Sequence, residues 1–206
     1  MKTRKYVTLL LSAVMCLSML SCGEKKPKPE LTVESYTELQ TVQKLPPVNI
    51  AGTWTEADIP GSLWLGANRF SYPATFKSLS PKFSIDPEAS DFSFSAQGEV
   101  TATLLYDGCA CGTIKLQNCP SKDTYSSGLI SEITFRDLGI SSLPAPALFP
   151  VCFNGVTIGT SAADFKEKTG VELGVTGAEI ATSHHIIQFK GSPAEGVTAI
   201  TLISAD

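Results

Sequence analysis

After Val48, polar and apolar positions alternate along much of the chain. Phe83 and Ile85 stand between Lys82, Ser84 and Asp86, and Phe92, Phe94 and Ala96 alternate with Ser93, Ser95 and Gln97 before a punctuating Gly98. Val100, Ala102, Leu104 and Tyr106 share one face, with Thr101, Thr103 and Leu105 opposite; Ile114 and Leu116, then Ile133 and Phe135, repeat the pattern. A period of two with Gly/Pro/Asp punctuation predicts an antiparallel sheet with one wet face. His185, Ile187 and Phe189 form another such face, and the loop from Gly191 to Gly196 suits a hairpin. Val197 to Ile203 is apolar on both faces, which predicts a central strand. One helix is expected over 161–169: Ser161 is a capping residue with Asp164 three positions on, Lys166 and Lys168 occupy the last turn, and Gly170 fits a left-handed cap. The fold class expected is mainly β (α+β), an antiparallel meander, barrel or sandwich, in one domain over residues 48–206.

The first 47 residues follow other rules. Lys2, Arg4 and Lys5 precede an apolar run of 14 residues, Val7 to Leu20. That is too short for a bilayer, which takes about 20, and has the form of a signal-peptide core. It ends in Met19-Leu20-Ser21-Cys22-Gly23, which resembles the lipobox of bacterial lipoproteins. The resemblance implies a signal peptide over 1–21, cleavage before Cys22, and attachment of acyl chains to that cysteine. No Asp follows Cys22, which by the same resemblance favours the outer membrane and leaves the leaflet open. Glu24 to Glu30 is charged and holds two prolines, so it reads as an extended tether. Leu31, Val33, Tyr36, Leu39 and Val42 leave a short helix or an ordered arm open before Pro46-Pro47 closes the segment. Residues 22–47 are accordingly expected to form an acylated tether.

Charge narrows the partners. The chain carries 16 Lys+Arg and 20 Asp+Glu, a net −4; without residues 1–21 the count is 13 against 20, or −7 on 185 residues. No basic excess exists to neutralise phosphates, so nucleic acid is not expected as a partner. Net charge does not favour anionic headgroups either. Membrane attachment therefore falls to the acyl chains.

Beyond Cys22 lie Cys109, Cys111, Cys119 and Cys152. In an exported chain the default reading is disulfides. If 113–118 is a strand, Cys111 and Cys119 sit over about 20 Å apart, whereas a disulfide needs Cα atoms within about 7 Å. The same argument disfavours Cys109–Cys119. Cys152 is left as the partner of Cys119, with Cys109 and Cys111 paired or free. Asp107-Gly108-Cys109-Ala110-Cys111 admits a redox or metal reading, but the spacing lacks paired zinc knuckles. His184 and His185 are the only histidines, and on a strand they point to opposite faces. No nucleophile elbow, phosphate loop, zinc-protease or dinucleotide motif is present in the sequence. Neither catalysis, nor a cofactor, nor a metal is expected.

Two further resemblances concern the folded part. Ile50-Ala51-Gly52-Thr53-Trp54 is similar to the G-x-W signature of lipocalin-like barrels, which implies a closed meander around an apolar ligand. Val156-Thr157-Ile158-Gly159-Thr160-Ser161, with Asp164-Phe165 and Thr169-Gly170, is similar to the strand–helix opening of β-lactamase-inhibitor-like and outer-membrane-assembly modules, which implies a protein-binding, helix-backed sheet. Trp64, Phe70 and Tyr72 are the ligand-binding candidates that separate the two. Rimming a pocket, they point to a small apolar ligand; on a flat surface, to a protein or glycan; otherwise they fill the core. The expected function is a non-catalytic envelope binding module for a small apolar ligand. A protein- or glycan-interaction module stands as the alternative, and thiol redox or metal binding through Cys109/Cys111 as a second.

Overall fold

The computed structural model describes residues 30–137 and 148–205. The expected lipobox, Cys22 and the signal peptide over 1–21 lie outside the described residues. Eleven strands and three α-helices make up the described body. The helices are α1 (Val33–Gln43), the single-turn α2 (Ile59–Ser62) and α3 (Ala162–Thr169). A small sheet is built from β1 (Leu63–Leu65), β2 (Asn68–Arg69) and β8 (Val151–Phe153) in the order β2-β1-β8. The large sheet takes β3 (Phe83–Ser84), β4 (Ser93–Phe94), β5 (Val100–Tyr106), β6 (Cys109–Gln117), β7 (Leu129–Arg136), β9 (Ala178–Ala181), β10 (His185–Ser192) and β11 (Gly196–Ser204). Its order is β3-β5-β6-β7-β11-β10-β9, with β4 also on β5, and every pairing is antiparallel.

Register explains why alternation was informative. Ala102, Ile114, Ile133, Leu202, Ile187 and Ile180 stand opposite one another across six strands, all of them buried. One residue along, Thr103, Thr113, Thr134, Thr201, Gln188 and Glu179 form the parallel row on the other face. A slip of one residue would exchange the two rows, so burial fixes the register. β11 lies between β7 and β10, the central place its two apolar faces indicated. The sheet ends at β3 and β9 and does not close; the architecture is sandwich-like, and the barrel alternative is corrected. Closure would require those edges to pair, and β3 is only two residues long.

Helix α3 starts and stops as the sequence indicates. Ser161 Oγ accepts the Asp164 N–H at 3.1 Å, and Gly170 ends the helix at φ 71°. Phe165 is buried, and its ring stands 4.9 Å from that of Phe189 on β10. Residues 156–160 just before it are turns and one isolated bridge rather than a strand, so the strand of the module-like resemblance is absent from its expected place.

Helix α1 belongs to the folded body. Thr32 caps it, its Oγ1 accepting the Ser35 N–H at 3.2 Å, while the Asp107 carboxylate accepts the Thr32 N–H at 2.7 Å. Ser35, Leu39 and Val42 are buried at spacings of four and three, one face of a helix. Lys82 Nζ reaches Glu38 at 2.6 Å. The expected 22–47 tether is thereby corrected from Thr32 onward. Among the described residues no helix is long and apolar enough to cross a membrane.

Candidate functional site

The three aromatic candidates part company. Phe70 and Tyr72 are 6% and 5% exposed and belong to the core, stacked edge to face at 5.0 Å. The Tyr72 hydroxyl donates to the Leu202 carbonyl at 3.1 Å, and burial, with a smaller contribution from Glu132, drives its pKa up. Neither rims a pocket. Trp64 on β1 stays half-buried, with the Arg69 guanidinium 5.3 Å from its ring centroid, the geometry of a cation–π contact.

Trp64 and Arg69 are opposite each other in the β1–β2 pairing. They border a cleft of about 170 Å³ shared with Val42, Leu45, Val48 and Cys152. Leu45 and Val48, 38% and 60% exposed, give it an apolar rim. Asn154 holds this rim in place. Its Oδ1 accepts the Val48 N–H at 2.7 Å, and its Nδ2 donates to the Asn49 and Lys168 carbonyls. Arg69 has no carboxylate partner among the described residues.

Gly52 and Trp54 do not open a strand. Trp54 stacks 4.7 Å from Phe153, and its indole N–H donates to the Thr169 carbonyl at 3.1 Å. Gly52, at φ 77°, lies so close to Gly170 that a Cβ would come within 2.7 Å of the Gly170 carbonyl oxygen. The pair thus plugs the end of α3, in a loop, and the lipocalin-like expectation of an enclosing barrel is corrected along with its closure.

His185 is buried, 1% exposed, while His184 faces solvent. The Tyr72 N–H donates to His185 Nε2 at 2.8 Å, so the imidazole proton resides on Nδ1, which lies 2.8 Å from the Glu56 carboxylate. Glu56 also accepts from Thr182 Oγ1 at 2.6 Å and from the His184 N–H at 3.1 Å. Burial works to raise the Glu56 pKa; the Thr182 hydroxyl, the His184 N–H and the two imidazoles outweigh it and hold the group below its ordinary value. His185 thus stands between Tyr72 and Glu56 and brings the 56–72 segment against β10.

The four cysteines among the described residues are buried free thiols. Cys119 lies against the carbonyls of Gln117 and Tyr125, while Cys152 faces the Val42 carbonyl in the small sheet. These surroundings do not meet, so the expected Cys119–Cys152 bridge does not form. Cys109 and Cys111 are also unpaired. Asp107 and Gly108 before them, at φ 52° and 77°, make the two-residue turn joining β5 to β6, the Asp-Gly hairpin that positive φ at both positions favours. Burial pushes all four thiols up, Cys152 to about 11, against the pull of the Gly155 N–H and Lys168. Such thiols are poor nucleophiles and poor ligands. Among the described residues no three His, Cys, Asp or Glu side chains gather as a metal-ion site.

Comparison with known protein families, with curated proteins and with solved structures finds no match. The fold itself defines the class: an open, antiparallel α+β protein with a second small sheet. Within it, Trp64 and Arg69 form a solvent-facing apolar and cationic patch.

Proposed function

We propose that this chain is a cell-envelope lipoprotein, anchored through acylated Cys22 in the outer membrane, that works as a non-catalytic protein-interaction module. One observation carries the reading: the Arg69 guanidinium stacked on Trp64 beside exposed Leu45 and Val48. Interface cores are enriched in tryptophan and arginine, and truncating such anchors costs the most binding energy. An enclosed apolar ligand is less favoured, since the sheet is open and Phe70 and Tyr72 fill the core.

Site-specific photocrosslinking tests the reading. A photoreactive side chain at position 48, in the full chain in its own envelope, is expected to capture a protein of discrete mass. Trp64→Ala or Arg69→Ala should weaken capture by about 30-fold, as the loss of a hot spot worth about 2 kcal/mol dictates. A control probe at Gln188, on the wet face of the sheet, should capture nothing discrete. Capture that ignores both substitutions, or that is equal at the two positions, would sink the proposal.

A further inference from the structure

A second cleft, of about 390 Å³, opens between α1 and residues 155–160. Tyr36, Gln40 and Lys44 line one wall, spaced by four as a ridge of α1, and Thr157 and Lys168 line the other. Three features set it apart from an ordinary surface fold. The first is charge. Of the eight described lysines, Lys82, Lys115, Lys122 and Lys166 are ion-paired. Lys44, Lys77, Lys168 and Lys190 are not, and two of these four, Lys44 and Lys168, line this one cleft of a net acidic chain. Lys168 Nζ is steadied by the Gly155 carbonyl at 2.6 Å; that contact leaves its charge uncompensated.

The second feature is an unmet hydroxyl. Thr157 is 5% exposed, and its Oγ1 finds no hydrogen-bond partner among the described residues. Its own N–H is spent on Thr160 Oγ1 at 2.9 Å. Buried polar groups are normally paired; this orphan belongs to a residue of the cleft lining and is closed to solvent, so a ligand meets it once the Thr157 side chain turns toward the cleft. The third is the mixture on the α1 wall: a half-exposed tyrosine ring beside the Gln40 amide, which donates to the Tyr36 hydroxyl at 3.2 Å. A flat aromatic face, amides and a hydroxyl suit a polyhydroxylated ring, and the ammonium groups suit an anion.

We propose that this cleft binds a small acidic sugar, one that carries a carboxylate or phosphate group. The anion lies between Lys44 and Lys168, and ring hydroxyls meet Thr157 Oγ1 and the Gln40 amide. The volume falls at the lower end of small-ligand sites. The inference stands apart from the Trp64–Arg69 patch, which lines a different cleft.

Calorimetric titration of the full chain with glucuronate, glucose 6-phosphate, inorganic phosphate and glucose provides the test, with melting curves to confirm that each variant folds. Glucuronate or glucose 6-phosphate is expected to bind saturably, with glucose and inorganic phosphate each at least about tenfold weaker. Lys44→Gln, on an exposed position, and Lys168→Gln should each weaken the sugar acid by about tenfold or more, and Thr157→Val by a smaller factor. Trp64→Ala should change nothing here, which separates this result from the fate of the patch. No saturable binding of either sugar acid up to about 10 mM would overturn the proposal. So would affinity unchanged in folded Lys44→Gln, or inorganic phosphate binding as tightly as the sugar phosphate.

Discussion

Replacing His185 by alanine should destabilise the domain by about 3–5 kcal/mol, and the sum can be traced to separate contacts. The imidazole accepts the Tyr72 N–H at 2.8 Å in a site only 1% exposed. Its loss leaves a buried donor without a partner, at about 1–3 kcal/mol. The emptied ring space, between Tyr72 at 5.3 Å and the Ile187 row, adds about 2 kcal/mol as an unfilled cavity. The Glu56 contact contributes less, since that carboxylate is partly solvated and keeps its bonds to Thr182 and the His184 N–H. For a chain of this size the loss corresponds to a fall in Tm of about 6–20 °C. Thermal and urea unfolding followed by circular dichroism reads it directly. His185→Gln places an acceptor near the position of Nε2 and should recover about 1–2 kcal/mol of the alanine loss. A cost for alanine under about 1 kcal/mol, or glutamine no better than alanine, would refute the latch between β10 and the 56–72 segment.

Three further outcomes follow from the same geometry. Glu56 has a folded-state pKa below its ordinary value, so its stabilising effect is present above pH 4.5 and lost as pH falls through the folded pKa; Glu56→Gln should lower stability at pH 7 and flatten the acid limb in urea-unfolding titrations. The four thiols should resist a thiol reagent at pH 8 in the native chain and all react in denaturant, because burial holds the thiolate back; rapid native labelling of Cys109 or Cys111 would contradict their placement. Cys22→Ala should move the chain from the membrane to the soluble fraction on cell fractionation, and continued membrane retention would end the lipid-anchor proposal.

What could be read in the chain and what could not divide along a physical line. Alternation from Val100 to Tyr106 was legible because one face is wet, and the helix after Ser161 because capping is local chemistry between residues three apart. The redox reading of Asp107 to Cys111 overlooked a local signal of the same kind. Asp-Gly there, and Asn154-Gly155 after β8 with both residues at positive φ, are hairpin dipeptides. By contrast, Trp64, Phe70 and Tyr72 look alike in a sequence, and only the pairing of β1 with β8, some 90 residues away, decides which of them is exposed. His185 could be placed on an apolar strand face; its partners Glu56 and Tyr72, 129 and 113 residues upstream, could not. Helix α1 was obscure for the same reason, since its cap partner Asp107 lies 75 residues on.

The docking of α1 also changes what the proposed anchor can do. A tether over residues 22–47 would span up to about 90 Å at about 3.3–3.6 Å per residue. With Thr32 fixed to Asp107 and Glu38 to Lys82, an anchor at Cys22 would be joined to the folded body by a stretch that can span no more than about 36 Å. With Cys22 acylated as proposed, the Asp107–Gly108 end of the large sheet would lie within that distance of the acyl chains. The Trp64–Arg69 patch lies toward the other end of α1, whose 11 residues measure about 16 Å. Under the proposed anchoring, both clefts would stay within about 50 Å of the bilayer. For a chain so anchored, a partner in the same membrane, or a molecule close to its surface, would be within reach; one that requires the module to cross a wider space would not. Undocking α1 would restore the longer reach, but it would expose Leu39 and Val42 and leave Lys82 and Asp107 without their contacts. The short reach that the proposed anchor would have is thus a consequence of the same packing that completes the core.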